Sequence, residues 1–203
     1  MHYLSLLKLI HLSGLIMGVG GAVMVDVVML RHAVLKPVSR YALLQAHLMA
    51  RVVAAGLLLL WLSGATLVWV NALIDPLTLQ NPRLWAKVIV VVALTLNGFA
   101  IWTITMPRLE HQFGRGYFDR TTPKDRAILT FISSFSTISW LTAFVLGSAH
   151  ELNRVVPAWK ILANYGAAVL GGWLLLYAFA SYVSREQRTP ASRAGAGGRT
   201  AYS

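Results

Sequence analysis

From Val52 to Val70 the chain runs nineteen residues without a charged side chain, and comparable stretches recur from Val88 to Met106, Ala127 to Ala149 and Ile161 to Ser184. An α-helix rises about 1.5 Å per residue, so each stretch is long enough to cross the roughly 30 Å hydrocarbon layer of a bilayer. A chain in that layer has no water to bond to. Each of its N–H and C=O groups must be paired internally, and a single apolar run achieves this as a helix. A fifth span, Leu4 to Leu30, is nearly as apolar but holds His11 and Asp26. The expected fold is therefore all-α, a polytopic membrane bundle of five transmembrane helices over residues 1–184. Residues 185–203, rich in Arg, Ser, Gly and Ala, bury too little apolar surface to order themselves and read as a flexible basic tail. Lys8 and His11 interrupt the first apolar run and no small-x-small cleavage site follows, so this span is expected to be retained, not removed as a signal peptide.

Composition excludes a soluble enzyme of this size. With 57% hydrophobic residues, 12% charged residues and a mean hydropathy of +0.62, such a chain would expose far too much apolar surface to water, so the lipid bilayer is its first partner. The net charge of +11 does not point to nucleic acid, because the basic residues sit in short loops and the tail instead of a stripe interleaved with stacking aromatics. Their distribution is topological. Five of the 18 Lys and Arg residues (Lys8, Arg83, Lys87, Arg154 and Lys160) fall on one side of the expected spans and thirteen on the other. The positive-inside bias then places the N-terminus outside and the C-terminus in the cytoplasm of a bacterial inner membrane. There is no cysteine, which removes disulfides, thiolate metal sites, iron–sulfur clusters and CxxCH haem attachment. Any bound metal must rely on His, Met, carboxylate or Lys.

Ionisable groups deep in a span are costly and mark function or tight pairing. In the first helix His11, Gly14, Gly18 and Gly21 recur at spacings of three, four and three, along one stripe. That stripe serves close helix packing, or it is a groove for a flat ligand whose metal His11 holds. In the second helix His47 and Arg51 share a face. Asp26 comes near the same end, so an Asp26–Arg51 ion pair is expected, with Arg31 as competitor. Lys87 opens the third apolar run one turn inside Trp85, either snorkelling or facing a site, and Asn97 lies about 15 Å deeper. His150 and Glu151 fall in the same leaflet as His11 and Lys87. The fourth span carries Thr130, Ser133, Ser134, Ser136, Thr137, Ser139 and Thr142, too widely spread for one stripe, and is expected to be enclosed by the other helices. These hydroxyls bond to carbonyls of their own helix or line a pocket.

Together the stretches LLKLIHLSGLIMGVGG, ARVVAAGLLLLWLSGATLVW and LWAKVIVVVALTLNG resemble the membrane core shared by the copper-resistance D family (CopD-like) and the HemJ-type protoporphyrinogen oxidases. The matching positions are His11, Arg51 with Ser63 and Gly64, and Lys87 with Asn97, over residues 1–107. The HemJ likeness implies an oxidoreductase or electron carrier with a haem b near the outer half. His11 would be its metal ligand, Lys87 the partner of a propionate or of the redox site, and His150 the available second axial ligand. The copper likeness implies copper transport or resistance instead, with His11, Met17 and Met24 as ligands. The last two helices and the 107–126 loop have no counterpart in either family. A third reading needs no cofactor: a structural subunit that assembles with other membrane proteins or with copies of itself.

Overall fold

The computed structural model describes residues 2–34, 37–119, 121–148 and 157–196, with side chains described between Tyr3 and Arg185. The helices are α1 (His2–Val34), α2 (Arg40–Ile74), α3 (Pro82–Ala100), α4 (Met106–His111), α5 (Pro123–Ser148) and α6 (Ala158–Ala196). A 3₁₀ turn over Pro76–Gln80 links α2 to α3, and α3 runs into α4 through a π turn at Ile101–Thr105. Met106 N–H bonds Ile101 O across that turn. Pro107 has no N–H to offer the carbonyl four residues back, and the wider turn absorbs the mismatch. Counting α3–α4 as one, five helices are long and apolar enough to cross a membrane. Large apolar side chains such as Leu175, 76% exposed, cover the outer faces, as lipid-facing surface requires. Helix α6 continues past its apolar span to Ala196, because extending a formed helix costs far less than starting one.

Local sequence sets the helix starts. Ser39 Oγ accepts from Ala42 N–H at 3.1 Å, and Asn81 Oδ1 accepts from Arg83 N–H at 3.1 Å, with Pro82 in the first turn. Before α5, Thr122 Oγ1 accepts from Asp125 N–H at 3.1 Å and donates to Asp125 Oδ2 at 2.7 Å, while Arg108 pairs with Asp125 at 2.9 Å.

Helices α1 and α2 form the closest pair. A Cβ on Gly56 would fall 2.7 Å from Gly14 O and 2.9 Å from Gly18 N, so the two backbones touch where only glycine permits it. α5 is the central helix: 39% of its most apolar window is buried, against 17–22% in the other spans. Its Trp140 ring fills the space above Gly18, where a Cβ would fall 2.0 Å from the ring. The glycine stripe beneath His11 is thus occupied by Gly56 and Trp140. Of the two readings of that stripe, close helix packing is the one the contacts of Gly14 and Gly18 match.

At the end carrying Arg31, Arg40, Arg108 and Arg115, the α4–α5 loop folds back onto the α1–α2 connection. Val38 N–H bonds Arg115 O at 2.8 Å, and Gly114 N–H bonds Val38 O at 2.9 Å. Gly114 turns the chain at φ +75°, a conformation an L side chain resists, so Gly114→Ala is expected to cost about 1 kcal/mol in detergent unfolding. The fold-back seats Tyr117 and Phe118, 6% and 5% exposed, against Ala33, Ala46 and Met106 as the floor of the bundle.

Candidate functional site

At the end marked by residues 75–81, His11 turns toward α2. Its Nδ1 lies 2.9 Å from Ser63 Oγ, and the ring rests on Gly64, where a Cβ would come within 3.3 Å of His11 Cε1. The Ser63 hydroxyl has one proton, which it donates to the Leu59 carbonyl a turn earlier. It therefore accepts from His11 Nδ1–H. In the neutral ring this chain selects the tautomer, leaving Nε2 with its lone pair. None of the described residues hydrogen-bonds that nitrogen.

Lys87, half-buried on α3, lies within electrostatic range of both His11 and Arg83. Arg83, Ala86, Val90, Leu94 and Asn97 form the buried stripe of α3, which aims the helix into the bundle. Trp85 Nε1–H donates to Leu79 O at 2.9 Å and holds the helix entry. The fold thus brings together His11, Ser63, Gly64 and Lys87, all positions that carry the family resemblance. His150 and Glu151 lie outside the described residues. Among the described residues no three His, Asp or Glu side chains converge on a metal position, and Met24 is 50% exposed.

The second polar gathering surrounds Asp26, and here one expectation is corrected. Asp26 does not pair with Arg51, which is exposed on α2. It faces α5, where Thr137 Oγ1 donates to Asp26 Oδ2 at 2.6 Å. The burial pattern of α1 turns Asp26 toward the central helix, and Arg51 keeps its hydration at the bundle edge. Arg51→Ala is therefore expected to change detergent unfolding by less than about 0.5 kcal/mol. Thr137→Val strands the Asp26 carboxyl and is expected to cost about 1–3 kcal/mol. His47 likewise has a partner that sequence spacing does not reveal: its Nε2 is 3.2 Å from Glu110 Oε1 on α4, and its Nδ1–H donates to Leu43 O at 2.9 Å.

Asp26 and Thr137 border a cavity of about 500 Å³ between α1, α5, α6 and the floor residues Tyr117 and Phe118. Ser133 and Ser134 add hydroxyls to its α5 wall. Ser134 donates to Val169 O at 3.2 Å across to α6. Gly172 makes room for that crossing, since a Cβ there would meet Ser134 Oγ at 2.7 Å. Burial, and secondarily the nearby Asp26 carboxylate, push the Tyr117 phenol up to about 12, so it remains a proton-bearing donor across the physiological range. A smaller cavity of about 110 Å³, bordered by Arg108, Gln112 and Asp125, shares the Tyr117 wall. The scattered hydroxyls of the fourth span hinted at this cavity. Tyr117 left no such signal, because only the loop fold-back brings it inward.

The fold and these two gatherings define a five-span helical membrane protein with a polar cluster near each end of the bundle. Compared with protein-family models, curated proteins and solved structures, the chain matches none.

Proposed function

We propose that this is a redox protein of a bacterial inner membrane, N-terminus outside and C-terminus in the cytoplasm, which takes a b-type haem at His11. The observation that carries the reading is the bonded series Leu59 O, Ser63 hydroxyl, His11 Nδ1–H, which leaves Nε2 as a ready iron ligand. Proteins orient metal-binding imidazoles by such a bond to the other ring nitrogen. The donor set fits: a neutral imidazole nitrogen unclaimed by the described residues, with the Lys87 ammonium close by to offset a propionate. Haem bound there supplies one-electron chemistry tuned by its surroundings. The protein's own part is to hold the imidazole tautomer, place a cation and exclude water. The thirteen basic residues on one side of the spans support the orientation.

The test is an absorption spectrum of the full chain purified in mild detergent from haem-sufficient cells. A Soret band near one haem per chain is the expected result. Colourless protein carrying stoichiometric copper would replace the reading with copper handling, and neither would leave a structural subunit. Within the haem reading, a HemJ-like porphyrinogen oxidase additionally requires that a deletion strain accumulate porphyrinogen, with the intact gene restoring flux and Lys87→Ala failing to.

A further inference from the structure

The cavity beside Asp26 is built for a particular kind of guest. Its lining residues Leu30 and Leu175 are 52% and 76% exposed on the outer surface of the bundle, so its mouth opens between α1 and α6 onto lipid. Contacts between those two helices are sparse, which keeps the mouth open. A guest must therefore arrive dissolved in the bilayer. Its volume of about 500 Å³ suits a ring with part of a chain, and its mouth is apolar, with Met29, Leu176 and Phe179 joining the two leucines.

Polar groups mark the inner end. Tyr117 is 6% exposed, borders the cavity and has no hydrogen-bond partner among the described residues; the Ser133 hydroxyl has none either. Two hydroxyl donors without a protein acceptor among the described residues, lining a mostly apolar cavity, are matched by acceptor oxygens on a guest. None of the residues lining the cavity is Lys, Arg or His, so it offers no cation to an anionic head group, which disfavours phospholipids and fatty acids. A sterically suitable guest is neutral, lipid-soluble and flat, with carbonyl oxygens on its ring. From this combination we infer that the cavity is a binding site for the head group of an isoprenoid quinone, Tyr117 and Ser133 donating to its carbonyl oxygens and the prenyl chain leaving between α1 and α6. The site is independent of His11, which lies fifteen residues away on α1, about 22 Å along the helix.

Decylubiquinone titrated into the full chain in detergent micelles, read by quenching of tryptophan fluorescence, tests this. Saturable binding near one equivalent is expected, weakened roughly fivefold to tenfold in Tyr117→Phe and further in Tyr117→Phe/Ser133→Ala. Both variants remove only hydroxyls, and an unchanged elution profile and circular dichroism spectrum confirm their fold. His11→Ala should bind decylubiquinone as the wild type does, so loss of the haem reading and loss of this one are told apart. Quenching that rises without saturation, equal affinity in wild type and double variant, or displacement by equimolar phosphatidylglycerol would each overturn the assignment, the last giving the cavity to a lipid.

Discussion

Gly56→Leu is expected to separate the first two helices and to destabilise the bundle strongly. The obstacle is backbone, not a side chain that can rotate away: the first carbon of the new side chain would fall 2.7 Å from Gly14 O and 2.9 Å from Gly18 N. Relief requires α1 to move outward, which strips Trp140 of the surface it covers at Gly18. Overpacking of this kind costs about 1–3 kcal/mol and more when backbone must shift. Thermal unfolding in detergent, followed by circular dichroism, should show a melting temperature lowered by several degrees or a chain that fails to accumulate. Gly20→Ala supplies the contrast. Nothing lies within 4 Å of a Cβ there, and alanine is the better helix former, so this variant should melt at or above the wild-type temperature. If both variants melt alike, the close α1–α2 contact is not a source of stability.

The largest effect on function is expected at His11. His11→Ala removes the proposed iron ligand and should abolish the Soret band. Ser63→Ala is the sharper experiment, since it leaves the ligand in place and removes only the group that holds Nδ1–H. Loss of such an orienting bond lowers metal affinity by roughly 10- to 100-fold. The variant should therefore load less haem, and added imidazole should restore the band of His11→Ala more readily than alanine at position 63 is rescued. A full-strength band in Ser63→Ala would mean that the hydroxyl merely caps a packed histidine. Lys87→Ala should keep the band while shifting its reduction potential downward, as removal of a nearby cation destabilises the reduced, more negative state.

Much of the bundle is legible in the sequence. Four uncharged runs and a fifth span interrupted by Lys8, His11 and Asp26 correspond to the five apolar helices, and the hydroxyl-rich span is the most enclosed of them. The pairing of polar groups was less legible. Asp26 and Arg51 sit near the same ends of consecutive helices, which made an ion pair the natural expectation, yet α1 presents Asp26 to Thr137 on α5. Rotation of a helix about its axis decides between such partners. An almost uniformly apolar helix carries too weak a polar–apolar asymmetry to reveal that rotation. Glu110 as the partner of His47 was hidden for a related reason, because the π turn before Pro107 resets the facing of α4. Tyr117 was hidden by distance along the chain.

Hydrocarbon solvent explains both the legible part and the rest. Transfer of a backbone into lipid penalises every unpaired amide, so apolar length by itself dictates helices, their number and their approximate ends. Which side chains meet depends instead on helix rotation, on glycines that let α1 and α2 close to backbone contact, and on a loop that turns at Gly114 and carries a phenol under the bundle. Those are differences of about a kilocalorie spread over long-range contacts. Only the assembled helices settle them, and they placed Ser63 behind His11 and Thr137 in front of Asp26.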